Sequence, residues 1–174
     1  PMQNPLLATY HTPYHTAPFH LIKTEHYEPA ILKGMEMHNE EIEAIINNPE
    51  QPTFHNTIVA LERSGATLDR AATIFGNLLS AETSDELQAI AQRVMPQLSE
   101  HSNNISLNEK LFARIKAVYD SAESTQLNQE DRVLLDKTYD GFIRNGANLP
   151  EADKERFRQI SSELSVLTLQ FSQN

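Results

Sequence analysis

The stretch that decides the fold is residues 132–174, RVLLDKTYDGFIRNGANLPEADKERFRQISSELSVLTLQFSQN. Its apolar residues recur at helical spacing, Asn145-Gly146 ends one helix, and Pro150 begins the next. The last apolar positions keep this spacing to the end of the sequence: Leu164, Leu167 and Phe171. Neither a glycine, a proline nor a basic last turn follows them. We therefore expect two consecutive helices here, and we expect the chain to be a piece of a longer protein.

Helical patterns of the same kind fill the sequence from residue 24 onward. The first helix is predicted to open near Thr24, with this buried stripe: Ile31, Met35, His38, Ile42 and Ile45. Other helices are predicted to start at polar caps, namely Thr53, Thr83, Ser106 and Asn128. In the helix after Asn128 the residues expected to face inward are Val133, Leu135, Tyr139 and Phe142. Pro96 is expected to kink or end its helix.

The sequence therefore predicts an all-α fold, an antiparallel bundle of about seven helices, because alternating strand patterns are weak and the loops are short. We expect a single helical domain over residues 1–174. Residues 24–174 would form the helices, and residues 1–23 an extended N-terminal arm. The arm is proline-rich, with Pro1, Pro5, Pro13 and Pro18 among the nine prolines of the chain.

The charge of the chain limits its partners. The formal net charge is -10, from 24 acidic and 14 basic residues, whereas nucleic acids and anionic membranes attract basic surfaces. We expect neither as a partner. The sequence has no cysteine, and no apolar run approaches the roughly 18 residues of a membrane span. We expect a cytoplasmic protein, with a periplasmic location as the alternative if a leader has been removed ahead of Pro1.

The histidines do not form a zinc-peptidase motif. In His-Glu-x-x-His, two imidazoles on one helical face hold zinc while the glutamate activates a water. Five of the seven histidines fall in the first 38 residues: His11, His15, His20, His26 and His38. Among all seven, only His11 has a histidine four residues on, and Thr12 follows it. A metal or pH-sensing cluster remains the alternative to surface histidines. We assign no catalytic, cofactor-binding or metal-binding residue to this chain.

Two other groups of side chains have structural explanations. Glu40, Glu41 and Glu43 are expected to form a solvated helix face, because adjacent helical positions point in different directions. The aromatic residues at helical spacing are expected in the core, with a peptide-binding wall as the alternative for a few of them. They are Phe75, Phe112, Tyr119, Tyr139, Phe142, Phe157 and Phe171.

Several blocks of the sequence resemble a known enzyme family. The stretches at 142–154 (FIRNGANLPEADK) and 163–174 (ELSVLTLQFSQN) resemble the zinc-dependent oligopeptidases of the thimet oligopeptidase type. The stretches at 26–35 (HYEPAILKGM) and 48–65 (NPEQPTFHNTIVALERSG) are similar to the N-terminal region of the bacterial peptidyl-dipeptidases, also called dipeptidyl carboxypeptidases. The similarity spans nearly the whole chain in the family's order.

The resemblance implies a mostly helical metallopeptidase with zinc in a deep channel, part of whose wall these residues would build. The zinc ligands would lie in a catalytic part outside this sequence, and the substrates would be short peptides that lose C-terminal dipeptides. An internally cutting oligopeptidase of the same family is the first alternative. A free-standing helical interaction module is the second. For the isolated chain we also expect some self-association through apolar surface.

Overall fold

The computed structural model describes residues 4–8, 21–82 and 84–173, with side chains as far as residue 167. Every regular element in these ranges is helical. The α-helices are α1 Tyr27–Ile46, α2 Ala60–Arg63, α3 Ala66–Ala81, α4 Asp85–Ser106, α5 Glu109–Tyr119, α6 Gln129–Arg144 and α7 Glu151–Gln173. A 3-10 turn, Thr24–His26, precedes α1, and another, Ala122–Gln126, precedes α6. The predicted all-α fold is confirmed.

Helix α1 joins two hydrophobic clusters because its buried residues continue along its whole length. The first cluster packs the N-terminal half of α1 against α3 and α4. Its fully buried members include Ile31, Phe75 and Val94. The second cluster packs the C-terminal half of α1 against α5, α6 and the segment before α2. Ile42 from α1 and Leu135 from α6 belong to it.

Part of the predicted arm contributes to the first cluster. Residues 5–7 form a turn within the predicted extended arm, with the Leu7 amide donating to the Asn4 carbonyl at 3.0 Å. The Leu6 side chain is fully buried in the first cluster. The Arg70 guanidinium of α3 donates to the Leu6 carbonyl (3.3 Å), which ties the turn to α3. The remaining predicted arm residues, 1–3 and 9–20, lie outside the described ranges.

Two predicted helix starts are confirmed by their capping hydrogen bonds. The Thr53 hydroxyl accepts from the Asn56 amide (3.0 Å), and the Asn128 side chain accepts from the Asp131 amide (2.8 Å). Each cap satisfies an amide that has no partner inside its helix. The helix after Thr53 differs in form from the prediction, because Phe54–Val59 is a π-helical turn that leads into α2. Gly146 lies in the turn after α6 with φ 95°, a left-handed conformation that favours glycine.

The predicted cap at Ser106 is wrong, since Ser106 is the last residue of α4. The Asn108 side chain caps α5 instead and accepts from the Leu111 amide at 3.0 Å. Thr83 lies outside the described residues, and the observed cap of α4 is Ser84, which accepts from the Leu87 amide at 3.2 Å. Both sites offer several polar residues side by side, so the pattern alone does not select the one that caps.

Two further expectations need correction. Of the two outcomes expected at Pro96, the end of the helix is wrong, because α4 continues to Ser106 and packs against both α1 and α7, while a kink stays a prediction. That packing outweighs the loss of one backbone donor. Val133 does not face inward, since 59% of its surface is exposed, while Leu135 two residues on is fully buried. Helix α6 therefore buries fewer of its apolar residues than their spacing predicts.

Candidate functional site

A close contact between α1 and α3 positions the polar cluster at the centre of the chain. A Cβ atom built on Gly34 would lie 2.9 Å from the Leu68 Cα, so only glycine lets the two helices approach this closely. One helical turn after Gly34, His38 lies between the two hydrophobic clusters, which include Met35 on one side and Ile42 on the other. The contact thus fixes the place of His38.

His38 joins three elements through a chain of hydrogen bonds. Its Nδ1 atom lies 2.9 Å from the Nε2 atom of His101 in α4, and its Nε2 atom lies 3.2 Å from the Ser64 hydroxyl after α2. The Ser64 hydroxyl donates to the Leu61 carbonyl at 2.6 Å. The Ser64 oxygen therefore accepts from the His38 Nε2–H, and the His38 Nδ1 atom accepts from the His101 Nε2–H. This assignment follows from satisfying every donor in the network.

This network is not a nucleophile with its base. An activated serine would donate its proton to imidazole, whereas the Ser64 hydroxyl donates to a backbone carbonyl and receives a hydrogen bond from His38. Ser64 and His101 are both buried. The cluster therefore acts as a polar link between α1, α2 and α4, and its chemical capacity is to bind a proton.

Burial lowers the pKa of both imidazoles below the usual value. For His38 the carboxylates of Glu41 and Asp69 oppose this effect in part. For His101 the adjacent His38 lowers the pKa further. Both rings are accordingly neutral near pH 7, which agrees with the direction of the hydrogen bonds.

A cavity of about 420 Å³ adjoins the two histidines. Its apolar wall comes from Leu68, Leu98 and Phe142, and the carboxylates of Glu62 and Asp69 lie at its polar side. Its size suits a small molecule or a few side chains of a partner.

The histidines considered as an alternative metal or pH-sensing cluster are placed as follows. His11, His15 and His20 lie outside the described residues. His26 caps the first 3-10 turn, accepting from the Lys23 amide at 2.9 Å. The pairing of His38 with His101 was not predicted, because the two residues are 63 positions apart. The only signal was the place of His38 on the predicted buried stripe of α1.

Within the ranges that the structure describes, no group of three or more histidine, cysteine or acidic side chains is arranged to hold a metal ion. The two imidazoles that meet share a hydrogen bond with each other rather than converging on an empty point. Glu40, Glu41 and Glu43 are exposed, as predicted, and Glu41 additionally accepts from the Gly65 amide at 3.3 Å.

The aromatic residues of α5 and α6 form a stacked series rather than an open wall. Tyr119 and Tyr139 stack with ring centroids 3.9 Å apart and planes within 7°. Phe112 lies next, 5.8 Å from Tyr139 and 6.4 Å from Phe142. The Arg132 guanidinium covers the Tyr119 ring at 5.3 Å. The faces of these rings pack against one another, which supports the prediction that this group belongs to the core rather than to a peptide-binding wall.

Helix α7 is the least buried long helix of the described chain. It packs on α4, with Lys154 as its one buried residue among those whose side chains are described. Ile160, Leu164 and Leu167 are 48%, 58% and 59% exposed. Their spacing of four and three residues places them on one side of the helix.

Comparison with known proteins then gives the chain a family context. It is 41% identical to the dipeptidyl carboxypeptidase of Salmonella typhimurium and 40% identical to that of Escherichia coli, each over 170 residues and 98% of this chain. It is 29% identical to oligopeptidase A of Escherichia coli over 173 residues. The chain is a homologue of these bacterial peptidases. The resemblance predicted from the sequence blocks is thus confirmed.

The match covers only part of each relative. The chain spans 25% of the length of these three proteins. No protein-family model matches it. Among the described residues, no helix has the length and apolar character needed to cross a membrane.

Proposed function

We propose that this chain is the N-terminal helical scaffold of a zinc peptidyl-dipeptidase, which removes C-terminal dipeptides from short peptides. The observation that carries the proposal is the graded similarity to known peptidases. Identity is 40–41% to dipeptidyl carboxypeptidases and 28–31% to the bacterial oligopeptidase A proteins, over nearly the whole chain in each case. This difference favours the dipeptidase branch.

The role of this chain in the proposal is steric. Zinc and the residues that activate water would come from the remaining three quarters of the enzyme, since the described side chains offer no metal site. The packed helices would form a rigid part of the channel wall, admitting short unfolded peptides and excluding folded proteins. The assignment of no catalytic, cofactor-binding or metal-binding residue to this chain remains a prediction, as does a cytoplasmic location.

The test uses the complete protein encoded by the natural reading frame. Its peptidase activity should release dipeptides from peptides with a free C-terminal carboxylate and should fail on the same peptides with a C-terminal amide. A chelator should abolish turnover, and zinc should restore it. The isolated 174-residue chain is the matched control and should show no turnover with added zinc. Chelator-sensitive turnover by the isolated chain would contradict the scaffold role.

Two alternatives have distinct outcomes in the same assay. An internally cutting oligopeptidase, which the 29% identity to oligopeptidase A supports, would cleave amidated peptides as well as free ones. A free-standing helical interaction module would come from a reading frame that ends near Asn174, and no peptidase activity would accompany it. In the favoured outcome the partners of this chain are short peptides and the catalytic part of the same polypeptide.

A further inference from the structure

The exposed side of α7 has the residue spacing of a helix-docking seam. Phe157, Ile160, Leu164 and Leu167 are separated by three, four and three residues. This is the alternation of apolar positions that packs one helix along another. These four residues are called the seam. Phe157 is half-buried, and the other three are exposed.

Apart from Phe157 at its edge, the seam lies off the face that α7 packs on the rest of this chain. That face carries Lys154, Arg158, Ser161 and Ser165. Within this chain the neighbour of α7 is α4, against which it packs. At 100° per residue, the seam lies about a quarter to a third of a turn away from these positions. It is therefore available to a second neighbour beside α4.

We propose that this seam docks an apolar helix from the part of the same polypeptide that follows the region described here. The inference rests on the proposed function, in which the complete enzyme is about four times as long as this chain, as its relatives are. Beyond the proposed function, the seam would be the surface through which the scaffold and the catalytic part meet. The occupant is a helix with its own apolar stripe, because the seam is a narrow row with no charged residue within it.

The size of the seam favours a tethered partner over a second copy. Three half-exposed aliphatic side chains offer on the order of 300 Å² of apolar surface, whereas a stable complex between free proteins buries roughly 800 Å² on each side. A helix in the same polypeptide is held at high effective concentration, so a small contact is sufficient. Self-association of the isolated chain through the seam should consequently be weak and appear only at high concentration.

Single cysteines provide the test because the 174-residue chain contains none of its own. Leu164→Cys places a thiol in the seam, and Ser162→Cys places one on the opposite, exposed side of α7 as the matched control. Each variant is prepared in the isolated chain and in the complete protein. Alkylation by N-ethylmaleimide is followed with peptide-resolved mass spectrometry, and circular dichroism checks that each variant is folded.

The expected result is a difference that appears only in the complete protein. In the isolated chain both thiols should react at similar rates. In the complete protein the thiol at position 164 should react at least about tenfold more slowly than the thiol at position 162, since alkylation of a covered thiol waits for local opening. Equal rates at the two positions in the complete protein, whether fast or slow, would overturn the proposal. Slow alkylation at 164 that is lost on dilution would show a second copy as the occupant and would overturn it too.

The outcome is separable from that of the proposed function. Peptidase activity is measured on the same complete protein carrying Ser162→Cys. An active enzyme whose position 164 is unprotected refutes the docking surface alone. Protection at position 164 in a protein with no peptidase activity refutes the function and leaves the docking surface standing.

Discussion

Replacement of Gly34 by alanine tests the α1–α3 contact that positions His38. The added Cβ would lie 2.9 Å from the Leu68 Cα, 3.1 Å from its Cβ and 3.2 Å from its backbone nitrogen. Two of these atoms belong to the backbone of α3, so the helices must move apart by some tenths of an ångström. Overpacking of this kind costs about 1–3 kcal/mol, and the better helix propensity of alanine returns roughly 0.5–1 kcal/mol. We expect Gly34→Ala to destabilise the chain by up to about 2.5 kcal/mol.

Gly76→Ala is the matched control, because Gly76 lies inside α3 and a Cβ there would meet no atom within 4 Å. It gains the propensity term alone, so it should stabilise the chain by roughly 0.5–1 kcal/mol. The difference between the two variants isolates the packing term. Urea denaturation of the 174-residue chain at neutral pH, followed by far-UV circular dichroism, measures both.

The refuting result is a pair of variants that shift stability in the same direction by the same amount. In that case α1 and α3 would not be held together at Gly34. A second measurement tests the link to the polar cluster: the imidazole NMR signals of His38 should shift in Gly34→Ala and stay in place in Gly76→Ala. Unmoved signals in both variants would show that the contact does not position the histidine.

Two further predictions concern the polar cluster and a helix start. The folded-state pKa values of His38 and His101 lie below the usual 6.5, so below that pH the unfolded chain binds more protons than the folded chain. The contribution of these two rings to the free energy of unfolding should therefore be complete above pH 6.5 and be lost as the pH falls. The loss should be at most ~1.4 kcal/mol per pH unit for each ring. Urea midpoints measured between pH 7.5 and 5 give this pH dependence. His101→Gln should flatten the slope of the midpoint against pH, whereas the exposed His55→Gln should not. Equal slopes in the unmodified chain and both variants would contradict the assignment. Asn108→Ala should cost about 1 kcal/mol in the same assay because Asn108 caps α5. Ser106→Ala should change stability by less than ~0.5 kcal/mol. If Ser106→Ala were the more destabilising variant, Ser106 would be the cap of α5, as predicted from the sequence.

Local signals in the sequence predicted most of the helices and few of the contacts between them. The caps at Thr53 and Asn128 and the stop at Gly146 depend on one or two neighbouring residues, so their chemistry is readable in order along the chain. The buried stripe of α1 was likewise visible from its period. The error at Ser106 arose where two polar residues, Ser106 and Asn108, compete for one helix start, and both are residue types that cap helices.

The central polar cluster lay beyond this kind of prediction. His38 and His101 meet because Gly34 brings α3 against α1 while α4 packs alongside, and no local pattern encodes a contact across 63 residues. The exposed seam of α7 was visible as periodicity, but the sequence could not tell a covered stripe from an uncovered one. That distinction depends on which neighbours the helix has.

The segment between α1 and α2 is anchored by two side chains from later in the chain, Arg114 and Glu123. Arg114 of α5 donates to the carbonyls of Asn48 (3.2 Å) and Glu50 (3.4 Å) and to the side chain of Asn56 (3.3 Å). From the other side, the Glu123 carboxylate accepts from the Phe54 amide at 3.1 Å. This segment falls in the block at 48–65 that is similar to the peptidyl-dipeptidases. These hydrogen bonds tie the connection between α1 and α2 to α5 and to the turn before α6, so a chain that keeps these side chains keeps the same way of joining the first two helices.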